Sequence, residues 1–221
     1  MQASGLPPAA RLLVRQALHR ARLGLLGAAC MLTLLNTGLA QAAPDAARGE
    51  EIVQGKCFIC HGAGGESSSP VFPRLAGQNA GYLARQLADY KSGKRKSSTM
   101  QPMVEDLSVD DFQALGVYFA SRPTVMHTVE DADLAQVGKF IFQRGNLSAG
   151  VAPCATCHGA SAHGTEALPR LAGQHALYTE HQLKQFNTRE RTNDNAVMHG
   201  IASKLTALEL KAVAAYLSGL Q

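Results

Sequence analysis

Apolar residues recur at intervals of three and four along much of this chain, the spacing that predicts amphipathic helices. No segment shows a sustained alternation of apolar and polar residues, the pattern that predicts a half-buried strand. The pattern therefore predicts an all-α protein. The clearest apolar runs are Phe112, Leu115 and Phe119 in one stretch and Leu210, Val213, Ala214 and Leu217 in another.

Both of these runs are preceded by a signal for the start of a helix. Ser108 stands three residues before Asp111, and Thr206 stands three residues before Glu209. A hydroxyl residue followed at that distance by an acid is typical of a capping box. We expect further helices at 46–56, 79–90, 133–142 and 175–186, an extra loop at 143–153, and polar loops at 62–70 and 187–196.

The sequence also repeats itself. Segment 73–78 reads Pro-Arg-Leu-Ala-Gly-Gln, and the same six residues return 96 positions later at 169–174. A near-constant offset between similar segments indicates a duplicated domain. Residues that follow the same offset are Tyr82, Gln86, Leu87 and Tyr90, which return as Tyr178, Gln182, Leu183 and Phe186.

The repeat leads to a prediction for the domain boundaries. Pro123 follows the first capped helix, and proline disfavours helical geometry in the residue before it. We place the first domain at 43–122, a linker at 123–131 and the second domain at 132–221. Domains of this size have a marginal core on their own, so a bound cofactor is expected to complete each one.

Residues 1–42 have the composition of a secretory signal peptide. They contain four arginines, no acidic residue, and an apolar stretch over 23–35 that is followed by small residues. This order of basic, apolar and small residues predicts export, with cleavage after Ala42. Because 23–40 is just long enough to cross a bilayer, retention of the leader as an anchor is the alternative.

The leader also accounts for the charge of the chain. The full sequence has 21 Lys and Arg against 17 Asp and Glu, a net charge of +4. All four excess positive charges lie in the leader, so the exported protein is formally neutral. A nucleic-acid-binding role is disfavoured, because such binding depends on phosphate neutralisation by Lys and Arg.

The cysteines outside the leader form two copies of a C-x-x-C-H motif. Two thiols one helical turn apart face the same side, so both can form thioethers to the vinyl groups of one porphyrin. The histidine that follows can then bind the iron, and the motif predicts c-type haem attachment. Two covalently attached haem c groups are therefore predicted, one per domain. The copies are Cys57-Phe58-Ile59-Cys60-His61 and Cys154-Ala155-Thr156-Cys157-His158.

Disulfides and zinc are the competing uses of these cysteines. Disulfides are common in exported proteins, but they leave the histidine after each pair unexplained. A structural zinc site needs four ligands, and each motif alone supplies three. The haem interpretation accounts for every residue of both motifs.

The repeat also selects the residue expected on the opposite side of each iron. His61 and His158 are the proximal ligands by adjacency, and Met100 and Met198 lie 39 and 40 residues after them. A single methionine is more often core filler, but a matched pair behind two haem motifs favours His/Met coordination.

Neighbouring residues compete with these methionines. Met103 is the main rival of Met100, although its counterpart, Ile201, cannot bind iron. His199 adjoins Met198, although its counterpart, Gln101, cannot bind iron comparably. The other unmatched histidines are expected at the surface, at a domain edge or in the linker. They are His127, His175 and His181.

His/Met coordination has a functional consequence. A thioether ligand raises the reduction potential relative to bis-histidine coordination. Filling both axial positions also leaves no open site for oxygen, peroxide or nitrite. The chain is therefore expected to exchange electrons and not to transform a small-molecule substrate.

These features resemble one family over residues 45–221. The paired C-x-x-C-H motifs, the paired P-R-L-A-G-Q segments and the late Met-x₆-Leu-(Ser/Thr) elements are similar to dihaem class I cytochromes c of the cytochrome c-four type. The resemblance implies two small helical cytochrome c domains. It also implies a periplasmic carrier, often membrane-associated, that passes electrons between respiratory-chain proteins towards a terminal oxidase or reductase.

The resemblance implies roles for residues around the haem ligands as well. The carbonyls of Pro73 and Pro169 are expected to accept hydrogen bonds from the ligating imidazoles, which would fix their orientation. Contacts with haem propionates are implied for Arg74, Gln78, Arg170 and Gln174.

Two other functions stay open at this point. A dihaem redox enzyme, such as a peroxidase or a sulfur-compound dehydrogenase, would keep one iron open or unusually ligated. A cytochrome subunit of a larger respiratory complex is the other alternative. The basic cluster Lys91, Lys94, Arg95 and Lys96 is either a solvated loop or a docking patch for an acidic redox partner.

Overall fold

The computed structural model describes residues 45–221, and the regular elements there are helical, with one isolated bridge between Asn146 and Val151. A π-helical turn, Val53–Cys57, joins the first two helices of the first domain. The helices of this domain are α1 (Ala46–Ile52), α2 (Phe58–His61), α3 (Ala80–Lys91), α4 (Met100–Val104) and α5 (Val109–Ala120).

The second domain repeats the same order of elements. It differs by the predicted extra loop, where a short 3₁₀ turn, Leu147–Ala149, precedes the second haem motif. The helices are α6 (Ala132–Arg144), α7 (Ala155–His158), α8 (Ala176–Thr188), α9 (Val197–Ala202) and α10 (Ala207–Ser218). The all-α prediction is confirmed.

Both predicted capping boxes are present. The Ser108 side chain accepts from the backbone N–H of Asp111, whose carboxylate accepts from the Ser108 backbone. Thr206 and Glu209 make the same pair of bonds at the start of α10. Each box satisfies donors that the first turn of a helix leaves unpaired.

The first and last helices of each domain cross at a glycine. A Cβ on Gly49 of α1 would lie 2.7 Å from the Cβ of Tyr118 on α5, and would also meet a backbone carbonyl of that helix. A Cβ on Gly138 of α6 would lie 2.9 Å from the Cβ of Tyr216 on α10, again with a backbone carbonyl in the way. Only glycine allows the two helix backbones to approach this closely.

The apolar faces predicted from the sequence form the cores. In the first domain α5 buries Phe112, Leu115 and Phe119 against residues of α1 and α3. In the second domain α10 contributes to two clusters, through Val213 and Leu217 on one side and Leu210 on the other. The helices thus bury the faces that the spacing of apolar residues predicted.

Two short helices were missed by the sequence analysis. No helix was predicted around Met100 or Met198, but these residues lie at the starts of α4 and α9. These helices have five and six residues, which is too short for an apolar period to be visible. Residues 123–130 of the predicted linker carry no helix, and the predicted leader lies outside the described residues.

The two domains belong to one compact unit, and the repeated P-R-L-A-G-Q segments face each other across it. The Gln78 side chain donates to the carbonyl of Arg170 at 2.9 Å and accepts from the Arg170 N–H at 2.7 Å. The Gln174 side chain makes the same two bonds to the backbone of Arg74, both at 2.9 Å. The contacts are reciprocal, as expected for two copies related by an approximate twofold axis.

None of the helices within residues 45–221 combines the length and apolar character that crossing a bilayer requires.

Candidate functional site

Each C-x-x-C-H motif forms one helical turn that follows the first helix of its domain. In the first domain the π-helical turn ends at Cys57, and α2 carries Cys60 and His61. In the second domain α7 begins directly after Cys154 and ends at His158. The two cysteines and the histidine of each motif thus lie on or next to a single helical turn.

The four cysteines in the described part of the chain are not joined in disulfides. Cys57 and Cys154 pack against the domain cores, and burial raises the pKa of each thiol to about 11. Cys60 is partly buried and Cys157 is exposed. Within residues 45–221 no three His, Cys, Asp or Glu side chains are grouped so that they could hold a metal ion.

The His61 imidazole is buried and held by a backbone carbonyl. Only 6 % of His61 is exposed, and its Nδ1 lies 2.9 Å from the carbonyl oxygen of Pro73. Because a carbonyl oxygen can only accept, Nδ1 carries the proton and leaves the lone pair of Nε2 available. Burial lowers the pKa of His61, and the bond to Pro73 partly opposes this shift. The ring is therefore a neutral, oriented donor of the kind that binds iron.

The His158 imidazole is equally buried but less firmly held. Burial lowers its pKa, and the nearby carbonyl of Pro169 opposes this shift. The approach to Pro169 does not reach hydrogen-bond geometry, so Nδ1 of His158 is buried without a partner. The contact implied by the resemblance is thus looser in the second domain than in the first.

Met100 begins α4 and packs against the core of the first domain, as a partly buried side chain. Its backbone N–H donates to the hydroxyl of Ser97 at 3.1 Å, which fixes the start of this short helix. Met103 lies one turn further along α4 and is also partly buried, but it does not pack against that core. The packing therefore distinguishes the two candidate thioethers.

Met198 occupies the equivalent position in the second domain. It lies in the first turn of α9 and packs against a buried cluster that includes Leu183 and Phe186 of α8. The neighbouring His199 directs Nδ1 to the carbonyl oxygen of Phe186 at 3.0 Å. This hydrogen bond occupies one ring nitrogen of His199 and joins α9 to α8.

The expectation that His175 lies at the surface or a domain edge is wrong. His175 is 9 % exposed, and its Nε2 donates to the carbonyl of Ser67 in the first domain at 2.8 Å. Asn79, its counterpart in the repeat, donates in the same way to the carbonyl of Leu168 at 2.7 Å. These residues join the domains, and no pattern within one repeat could have revealed that.

The side-chain amides of Gln78 and Gln174, for which propionate contacts were implied, bond to the backbone of the opposite domain. Each side-chain oxygen accepts from an arginine N–H of that domain, and each NH2 group donates to the carbonyl of the same arginine. The matching arginines, Arg74 and Arg170, are different, because neither Nε atom makes a hydrogen bond although both are buried. Nε of Arg74 lies 3.4 Å from a carboxylate oxygen of Glu66, so that guanidinium already has an acidic partner.

The basic cluster at 91–96 is not a continuous exposed patch. Arg95 is only 6 % exposed and makes its hydrogen bonds between the domains. Lys91 donates to the carbonyl of Leu107, and the ammonium of Lys94 lies 3.9 Å from Asp89. The interpretation as a four-residue docking patch is therefore wrong for Arg95.

The donor set of each domain fits a covalently attached haem. Two thiols and a buried imidazole share one turn, and a thioether packs on the core from a separate short helix. Thiols can form thioether bonds to a porphyrin, and imidazole with methionine sulfur is one of the axial ligand pairs of c-type haem iron.

Comparison with known proteins gives the same result. The cytochrome c family model matches residues 46–145 and again 142–221. Cytochrome c4 of Pseudomonas aeruginosa is 40% identical over 194 residues, which cover 86% of this chain and 96% of that protein. A thiosulfate dehydrogenase electron acceptor of Thiomonas intermedia is 35% identical over 81% of each chain.

The fold agrees with a solved structure as well. The crystal structure of reduced recombinant cytochrome c4 from Pseudomonas stutzeri superposes with a TM-score of 0.77 and 37% identity, over 81% of this chain and 100% of that one. Two cytochrome c domains imply two covalently bound haem c groups and a role in electron transfer. The chain therefore belongs to the cytochrome c family, as a dihaem cytochrome of the cytochrome c4 type.

Proposed function

We propose that this protein is an exported electron carrier in which each haem iron is held between a histidine and a methionine. The observation that carries the proposal is the match between the domains. Each domain pairs a buried imidazole on the C-x-x-C-H turn with a methionine packed on the core from the short helix before the last one. An enzyme with one open iron would be expected to break this match.

The residues of each domain have distinct tasks in this proposal. The thiols of Cys57 and Cys60, and of Cys154 and Cys157, bond covalently to the porphyrin. His61 and His158 would supply the proximal nitrogen. The carbonyl of Pro73 orients the ring of His61, while that of Pro169 lies near His158 without reaching hydrogen-bond geometry. Met100 and Met198 supply the opposite ligand.

The bound haem supplies a one-electron ferric–ferrous couple, and the ligands tune it. A methionine sulfur favours ferrous iron and raises the potential relative to a second histidine. With a histidine and a methionine bound to it, neither iron would offer a site to oxygen, peroxide or nitrite. The protein then exchanges electrons with other proteins and has no small-molecule substrate.

We infer that its partners are redox proteins of a respiratory chain, with electrons passing towards a terminal oxidase or reductase. A thiosulfate dehydrogenase is a candidate electron donor, because one relative is named as the electron acceptor of such an enzyme. Mixing this protein with a thiosulfate-reduced dehydrogenase in a stopped-flow instrument tests that donor. Reduction of both haems within seconds supports it, and no reduction rejects it.

The location that fits this role is the periplasm, reached through the predicted leader at 1–42. Peripheral association with the membrane, or retention of the leader as an anchor, would keep the carrier near membrane-bound partners. N-terminal sequencing of the exported protein tests the cleavage after Ala42.

Carbon monoxide and peroxide test the proposal against the enzyme alternatives. The ferrous protein is expected not to bind carbon monoxide in the absence of denaturant, and the protein is expected not to consume peroxide at a catalytic rate. Tight carbon monoxide binding at one haem would instead indicate an open iron and an enzymatic role.

A further inference from the structure

Two arginines with equivalent positions in the repeat lie buried where α3 and α8 face each other. Arg95 donates to Tyr178 at 3.0 Å and to Gln182 at 2.7 Å, both in the second domain. It also donates to Gln86 of its own domain at 2.8 Å. Arg95 is thus bonded to both domains at once.

Arg191 makes the reciprocal set of bonds. It donates to Tyr82 at 3.1 Å and to Gln86 at 2.9 Å, both in the first domain. It also donates to Gln182 of its own domain at 2.7 Å. The side-chain oxygens of Gln86 and Gln182 therefore each accept from both arginines, one from each domain.

Aromatic rings fix the planes of both guanidinium groups. Arg95 lies over the ring of Tyr90 at 4.6 Å, and Arg191 lies over the ring of Phe186 at 4.5 Å. Only 6 % of Arg95 and 8 % of Arg191 are exposed. Each arginine is stacked on a residue of its own domain and reaches across to the other, so the pair forms a clasp between the domains.

Charge attraction alone does not explain this clasp. The buried carboxylate nearby is Asp89, which accepts from Asn193 at 2.7 Å and has no hydrogen bond to either guanidinium. Two buried cations with one carboxylate nearby are costly unless their hydrogen bonds are satisfied. Those bonds are completed only when Tyr82, Gln86, Tyr178 and Gln182 are all in place, which holds for one relative orientation of the domains.

We propose that Arg95 and Arg191 are positioning residues that lock the two haem domains in the orientation used for electron transfer between them. This inference rests on the proposed carrier function. In the step concerned, one electron leaves the ferrous iron of one domain and enters the ferric iron of the other, and no bond forms or breaks. The clasp keeps this transfer independent of domain motion.

Backbone amides that are bonded across the two domains report on domain opening. The N–H groups of Arg74 and Arg170 are bonded to glutamines of the opposite domain, so they exchange with solvent when the domains separate. The N–H groups of Leu75 and Leu171 are bonded within their own domains, to Gly65 and Ala162, and serve as internal references. Comparing these two sets separates opening of the interface from loss of domain structure.

The first test replaces each arginine by lysine in the holoprotein, as Arg95→Lys, Arg191→Lys and the double variant. Lysine keeps the charge but cannot supply the planar fork of donors. Because each change removes at least one charge-assisted bond, cross-domain amide protection is expected to fall about tenfold per substitution. Protection of the internal amides and both reduction potentials are expected to stay at wild-type values.

Electron transfer between the haems is measured in the same variants. One electron is injected photochemically into the ferric protein, and its redistribution is followed at increasing glycerol concentration. The rate is expected to be independent of viscosity in the wild type and viscosity-dependent in the double variant. Arg122→Lys is the matched control, because Arg122 stacks on Tyr118 within the first domain at 4.5 Å.

Two variants with a smaller change keep the test valid if the lysine variants misfold. Tyr82→Phe and Tyr178→Phe each remove one hydroxyl that accepts from the opposite arginine and keep the ring. Tyr118→Phe is their control, because that hydroxyl bonds to Ala63 in the same domain. Loss of cross-domain protection in the first two variants, and not in the third, supports the clasp.

Two results would overturn the inference. One is wild-type protection of the cross-domain amides in both the double lysine variant and the two phenylalanine variants. The other is loss of that protection with a transfer rate that stays unchanged and independent of viscosity. An open iron in the unmodified protein would instead overturn the proposed carrier function, so the two failures are distinguishable.

Discussion

At the scale of single residues, the two candidate haem sites are similar but not identical. His61 donates a 2.9 Å hydrogen bond to Pro73, whereas His158 has no partner for Nδ1. A hydrogen bond to a ligating imidazole raises its basicity and fixes its plane. The two domains therefore differ at the group that most directly tunes the proximal ligand.

Removing either proposed axial methionine is expected to open one haem. Met100→Ala and Met198→Ala should each abolish about half of the methionine–iron charge-transfer band of the ferric protein, because one of two thioether ligands is lost. Each variant should also bind carbon monoxide at one haem when reduced. Absorption spectroscopy of the purified variants measures both effects.

Met103→Ala is the matched control for Met100→Ala. Met103 lies on the same short helix but does not pack against the core, so its removal is expected to leave the full band. If Met103→Ala lost the band and Met100→Ala kept it, the assignment in the first domain would be reversed.

The helix caps give the fold a specific response to acid. Hydrogen bonds from the Ser108 and Thr206 backbones lower the pKa of Asp111 and of Glu209 respectively. Since these pKa values are lower in the folded protein than in the unfolded one, the stabilisation is present above the unfolded values, about 4. It is lost as the pH falls through the folded values.

Asp111→Asn and Glu209→Gln are therefore expected to reduce the dependence of stability on pH below about 4. At neutral pH, Ser108→Ala and Thr206→Ala should each lower the free energy of unfolding by about 1 kcal/mol. Denaturant titrations at several pH values measure both effects. Asp110→Asn is the control, and a response equal to that of Asp111→Asn would contradict the capping account.

Functional residues were most predictable from the sequence where the same residue type recurs in both copies of the repeat. The cysteines, His61 and His158 were identified from the C-x-x-C-H motif, and the two methionines were selected because one copy supports the other. His175 was misplaced because its counterpart is an asparagine, which hid the shared use of these residues as links between domains. A comparison of residue types alone could not reveal that His175 and Asn79 both donate to backbone carbonyls of the opposite domain.

At the scale of elements, the close crossing of the first and last helices defines each domain. Gly49 and Gly138 allow backbone contact at the two crossings, where a Cβ would meet a carbonyl of the facing helix. In both copies the crossing fixes the first helix, which in turn positions the C-x-x-C-H turn. That turn follows the first helix directly in the first domain and after the extra loop in the second.

Gly49→Ala and Gly138→Ala are therefore expected to destabilise the protein by about 1–3 kcal/mol each, because the added methyl overpacks the crossing. Thermal unfolding of the holoprotein measures the change. Gly55→Ala is the control, since a Cβ there meets nothing within 4 Å. Equal destabilisation by Gly55→Ala would mean that helix crossing is not the cause.

The longer helices were predictable and the shorter ones were not. The spacing of apolar residues located α3, α5, α8 and α10 to within two or three residues. The π-helical turn Val53–Cys57 and the short helices α4 and α9 carry too few residues to show a period. Their geometry depends on packing against the rest of the domain, which local sequence does not encode.

At the scale of the whole molecule, the identical P-R-L-A-G-Q segments turn out to join the domains. The sequence showed that this segment repeats, and the resemblance suggested haem contacts for its glutamine. The structure shows Gln78 and Gln174 bonded to the opposite backbone instead. A symmetric contact requires the same residues on both sides, so the repetition itself is explained by the interface.

The central claim is that both haems are closed by protein ligands, and the ratio of the methionine–iron band to haem content tests it most directly. The haem content of the purified ferric protein is measured first, and the band is then quantified per haem. The account predicts two haems per chain, both with the band, and no carbon monoxide binding to the ferrous protein without denaturant. A band that accounts for one haem or none, or carbon monoxide binding to the native ferrous protein, would contradict it.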